Sequence, residues 1–159
     1  MSERVMLYSS HPLTAEDVWV AVRAAGGEPV MPEDEEYGLL GRVEEGKRYV
    51  LISGSKRPMD GDRFWETNLP YLGQELLEEI CAKLGSKPRV SFLITIGFEP
   101  RSGLLAVSFA YQCAIRWPCI VYADVYAEGE WGVKVYTSAE IVQLSSAGEA
   151  FTSYGMTDE

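Results

Sequence analysis

Histidine occurs once in this chain, and its 14 lysines and arginines are outnumbered by 24 aspartates and glutamates. The first scarcity confines any Ser-His-Asp or Cys-His nucleophile system to His11, which stands beside Pro12 after the short run Arg4 to Tyr8. No G-x-S-x-G elbow accompanies it, so His11 reads as a turn residue. The second scarcity, a formal net charge of −10, argues against nucleic acid and anionic membrane surfaces as partners, because both are bound mainly through basic side chains. It is accounted for by solubility alone, and it also favours a protein partner with a basic surface, through electrostatically steered encounter.

Cysteine is also sparse. Cys81, Cys113 and Cys119 are separated by 32 and 6 positions. Zinc sites need close pairs with further Cys or His, so these three read as small buried hydrophobes. No metal and no cofactor is expected. No apolar run approaches the ~18 residues of a membrane span, and the start MSERVMLYSSHPL lacks the long apolar core of a signal peptide. The expected compartment is the cytoplasm.

Phosphate loops are missing as well. Gly54-Ser55-Lys56 lacks the first glycine and spacing of G-x-x-x-x-G-K-[ST], and no G-x-G-x-x-G occurs. Asp60 and Asp62 alternate as at the start of a calcium loop, but Phe64 stands where the third oxygen ligand belongs.

What is present is enough apolar residue, 47% of 159, to build one core from packing alone. Arg4 to Tyr8 predicts a strand. Thr14 to Ala25 predicts a helix capped by Thr14, with Val18, Val22 and Ala25 on one face and Gly26-Gly27 at its end. Strands over 37–43 and 48–53 flank the turn Glu44-Glu45-Gly46-Lys47. Tyr71 to Leu84 is an amphipathic helix with Leu72, Leu76, Leu77, Ile80 and Leu84 on its apolar side. Arg89 to Gly97 predicts an internal strand, and Ser102-Gly103 opens an apolar helix that Pro118 ends near Trp117. Strands over 119–125 and 131–136 follow, then a short helix capped by Ser138 through Leu144.

This order predicts an α/β (α+β) domain. The expected architecture is a two-layer sandwich, with a mixed, mainly antiparallel sheet and about three helices packed mainly on one face. A doubly wound sheet is the alternative, through a parallel crossover around the apolar helix. Residues 1–144 form the expected single domain, and 145–159, rich in Ser, Thr, Gly and acid, a mobile tail.

The remaining signal is one of recognition. The acidic run Glu33, Asp34, Glu35 and Glu36, the turn acids Glu44 and Glu45, and the loop residues Asp60, Asp62, Phe64 and Trp65 combine acids with large aromatics, as protein interfaces do, unless Phe64 and Trp65 fold back over the core, the more ordinary place for such side chains. Asp124, inside an apolar strand near Tyr122 and Arg116, reads first as a structural ion-pair or strand-end residue, and it is the candidate for a small-ligand or enzymatic site if one exists.

The block from Tyr71 to Asp124 carries a Leu-rich helix, the break Gly85 to Pro88, Gly103-Leu104-Leu105, an Ala-rich helix and Arg116-Trp117-Pro118-Cys119-Ile120-Val121. It resembles small bacterial proteins of immunity or uncharacterised type. That resemblance implies a small cytoplasmic α/β domain, not an enzyme, that neutralises a cognate toxin by occluding its active site. The alternatives are a structural or regulatory subunit, or a ligand-binding domain or enzyme with its site near Asp124.

Overall fold

Alternating apolar residues along the first strand decide where the chain begins to pack. In β1 (Glu3–Ser9) Val5 and Leu7 are buried on one face, while Met6 and Tyr8 face the other. The computed structural model describes residues 3–31, 37–55, 62, 66, 73–127 and 130–151, with the backbone alone for 3, 37, 124–127, 130 and 131. It places β1 between two later strands of a seven-stranded sheet. The strands are β2 (Glu28–Pro29), β3 (Tyr37–Glu45), β4 (Arg48–Ser55), β5 (Val90–Ile96), β6 (Cys119–Ala127) and β7 (Glu130–Tyr136). Their order is β2-β3-β4-β5-β1-β6-β7, and every pairing is antiparallel.

The expected α+β class holds, with a wholly antiparallel sheet among the described residues in place of a mixed one. The doubly wound alternative fails for a specific reason. β5 and β6 run in the same direction, but β1 lies between them and is antiparallel to both. The helix between them is therefore a crossover that skips one strand.

Among the described residues four helices of ten or more residues cover the sheet: α1 (Ala15–Ala24), α2 (Gln74–Leu84), α3 (Gly103–Ala114) and α4 (Ser138–Ala147). Three of them, α1, α3 and α4, lie on the face formed by Ile52, Ile94, Val5 and Ala123 and by Phe92, Leu7 and Val121. Of these four, α2 lies on the opposite face, setting Leu77, Ile80 and Leu84 against Tyr8, Ile120 and Val135. The helices are thus mainly on one face, as the pattern implies, with α2 adding a partial third layer. α3 is buried at Leu105, Ala106, Val107, Phe109, Ala110 and Cys113, and each large side chain so buried contributes about 1.5–3 kcal/mol.

Local signals set the helix ends. Thr14 and Asp17 form a reciprocal capping box, with the Asp17 carboxylate accepting from the Thr14 N–H at 2.8 Å. α4 begins the same way, but its cap is Thr137 with Glu140. Ser138, the expected cap, instead donates its hydroxyl to the Cys119 carbonyl at 2.8 Å. Gly41 follows an irregularity in the β3–β4 register and lies under α1, where a Cβ would meet a Val22 methyl at 2.7 Å.

The expected domain boundary at residue 144 falls inside α4, which continues to Ala147. Packing extends to Phe151, only 2% exposed, whose ring lies 5.1 Å from that of Tyr136. The Tyr136 hydroxyl donates to the Phe151 carbonyl at 2.7 Å. Residues 152–159 of the expected tail lie outside the described residues.

Candidate functional site

The strand register makes one end of the sheet forked. Val43, Val50, Ile96 and Glu3 stand level across β3, β4, β5 and β1, and two hairpins reach past that level. One closes at Glu45 opposite Arg48, the other at Ala127 opposite Glu130. β4 and β6 are separated by β5 and β1, so the prongs stand about 14 Å apart at ordinary strand spacing. Between them β5 ends, and Gly97 to Ser102 turns into α3.

The first prong and this turn are fastened together. The Gly97 N–H donates to the Tyr49 carbonyl at 2.9 Å, and the Tyr49 N–H to the buried Ser102 hydroxyl at 3.4 Å. Gly97 permits the approach, since a Cβ there would meet the Tyr49 ring at 2.6 Å. Gly46 supplies the φ of 65° at the first position of the two-residue hairpin turn. Beside it, Glu45, Gly46, Lys47, Arg48, Glu99 and Pro100 line an open cleft of about 450 Å³.

Next to this cleft Phe98 is 58% exposed. Arg101, three residues on, holds φ at 70°, a left-handed conformation that is uncommon for a residue with a Cβ. An aromatic side chain is therefore held out of the core on a turn pinned at both sides, with charged residues around it. Phe98 is not among the residues that the sequence singles out. The available signal was a large aromatic between Gly97 and Pro100, in a turn that leaves the most apolar strand of the chain.

Of the residues singled out from the sequence, Glu44 and Glu45 belong to this end. Neither is an unmatched charge: Arg42 lies 2.9 Å from Glu44, and Arg48 lies 3.8 Å from Glu45. Asp62 is not here. It pairs with Lys87 at 2.5 Å, just before Val90, at the other end of β5, about 20 Å away along a strand of this length. The described acids therefore do not converge on one surface. Glu33, Asp34, Glu35, Glu36, Asp60, Phe64 and Trp65 lie outside the described residues.

The residues weighed for chemistry have structural engagements. Ser9 is buried and donates its hydroxyl to the Pro118 carbonyl at 2.6 Å while accepting the His11 N–H at 3.1 Å. His11 itself is exposed. Cys113 and Cys119 are buried and Cys81 half-buried. Burial pushes the Cys119 thiol up to about 12, against a smaller opposing effect of the Ser138 hydrogen bond. Burial likewise raises Cys113 well above the usual thiol range, so neither is a thiolate nucleophile near neutrality. Arg116 donates to the backbone carbonyl and side-chain oxygen of Gln112 at 2.8 and 2.7 Å. Asp124 pairs with Val133 in the β6–β7 ladder, and its side chain lies outside the described residues. Among the described residues no group of three His, Cys, Asp or Glu side chains could hold a metal ion. No helix among them is long and apolar enough to cross a membrane.

Comparison with known proteins finds no family model, no curated protein and no solved structure that matches the chain.

Proposed function

We propose that this chain is a non-catalytic protein-binding domain of the immunity type, which holds a basic protein partner, such as a bacterial toxin domain, and occludes its active site. The observation that carries the reading is Phe98, exposed on a pinned turn beside a cleft walled by Glu45, Lys47, Arg48 and Glu99. An accessible aromatic within a charged rim has the composition of an interface centre, where one or two anchors supply most of the affinity. Two acids and two bases line the cleft, so the near-field pattern gives register and selectivity. The chain's net charge of −10 supplies the long-range attraction for a basic surface.

The test begins with tagged protein recovered from its own cells and mass spectrometry of what stays bound. One stoichiometric partner is expected. Phe98→Ala should weaken its binding by at least about tenfold, while Val20→Ala, on exposed α1 surface, should leave it unchanged. Equal affinity for wild type, Phe98→Ala and Glu45→Lys would remove this surface from the interface. Recovery of the protein alone would reject the binding reading itself.

A further inference from the structure

The two edges of the sheet differ. At one side β2 is only two residues long; at the other, β7 is a seven-residue strand with no further strand beside it among the described residues. The closing pair of a two-residue hairpin is hydrogen-bonded, and bonded pairs then alternate along an antiparallel ladder. With Ala127 opposite Glu130, the even residues of β7 bond to β6, and the backbone groups of Trp131, Val133 and Val135 turn outward. Lys83 agrees with this phase, since its ammonium donates to the Val135 carbonyl at 3.0 Å. That contact blunts one end of the edge in the way natural edge strands are protected. Val133, 46% exposed, remains beyond it.

Strand alternation also separates the two sides of this edge. Val135 packs toward α2, and Val133 shares its side, so that side is apolar. Tyr136 and Lys134 face α4, where they line a cleft of about 260 Å³ with Glu140, Leu144 and Glu149. Lys134 is already engaged there: it lies 3.9 Å from Glu140 and 4.7 Å from the centre of the Tyr136 ring. Glu149 has no basic partner among the described residues, so the cleft holds one carboxylate more than it holds cations.

We infer that the outer edge of β7 is a docking site for an extended segment of a partner protein whose side chains alternate between basic and apolar. Its backbone would pair with Val133 as an eighth strand. Its basic side chains would enter the β7–α4 cleft toward Glu140 and Glu149, and its apolar ones would cover Val133. None of the residues around Phe98 and its cleft takes part in this edge, so the two surfaces stand or fall separately.

The test is amide hydrogen exchange on the full chain, with a peptide of alternating lysine and valine matched to β7 in length. Exchange at Val133 should slow by about tenfold at saturating peptide, and an alternating glutamate and valine peptide should leave it unchanged. Glu149→Lys, on the exposed turn after α4, should cut the protection several-fold. Val133→Pro should abolish the peptide's protection of the neighbouring outward amides of Trp131 and Val135 while leaving the far-UV spectrum intact, because an outward N–H is not part of the ladder. Equal protection by both peptides, or by neither, would overturn the proposal. So would protection that rises with protein concentration alone, since the edge would then pair with a second copy.

Discussion

The two faces of the sheet are built differently. The face under α1, α3 and α4 collects most of the core, and two of its three helices start with complete capping boxes, Thr14 with Asp17 and Thr137 with Glu140. Among the described residues the face under α2 holds a cluster of six buried residues, and α2 has glycine at both ends with no side-chain cap. A helix with local start signals and a wide apolar partner is specified twice over, whereas α2 depends on its stripe of Leu77, Ile80 and Leu84. The difference teaches that stability and recognition can be divided between parts of one sheet. In the proposed reading, the strand ends and the β7 edge carry docking groups while the large face carries the fold.

The sharpest way to break this comparison is to open a cavity on each side. Phe109→Ala on α3, where the ring is wholly buried, should cost about 3–5 kcal/mol, and Ile80→Ala on α2 about 2–4 kcal/mol. Denaturant unfolding monitored for both variants would measure the gap. An α2 variant as costly as the α3 one would show that the smaller cluster is an equal part of the core.

Alkaline titration separates the faces next. Cys119, on the large face, has a native pKa raised from 9.0 to about 12, chiefly by burial. A raised native value means that its contribution to stability is complete below pH 9 and is lost as pH climbs toward 12. The slope is about 1.4 kcal/mol per pH unit for one such group. Cys119→Ala should flatten that limb of the stability–pH curve, and an unchanged limb would mean that the thiol titrates alike in both states. Cys81, half-buried on α2, should react with a thiol reagent before Cys113 or Cys119.

The smallest effect concerns the end of the chain. Tyr136→Phe removes the bond to the Phe151 carbonyl and should cost about 1–3 kcal/mol by leaving that carbonyl without its donor. Amide exchange should quicken at 148–151 before it quickens in β6. Exchange that rises equally in both places would mean that residues 148–151 open only with the whole domain.

Much of this architecture is legible in the residues. The Thr14 cap, the Leu77-Ile80-Leu84 stripe and the alternation of Val90, Phe92, Ile94 and Ile96 each announce an element from neighbours within a turn or two. Thr137 was passed over for Ser138 because both are good caps, and only the Cys119 carbonyl, 19 positions away, claims the serine. The candidate site was less legible. Glu44 and Glu45 read as acids of an open turn, but Arg42 stands beside Glu44 on the same strand and Arg48 beside Glu45 across the hairpin. Asp62 reads as their companion, yet its partner Lys87 places it at the far end of β5.

Taken alone, the sequence determined the elements, the α+β class and the poverty in histidine and basic residues, because periodicity, capping and charge are local or additive properties. The tertiary structure decided that β1 inserts between β5 and β6, that α2 crosses to the other face, and that Phe98 stands out on a pinned turn while Phe151 is buried. Those outcomes depend on which strand edges pair and which apolar faces meet at long separation, and that competition is settled only when the whole chain packs.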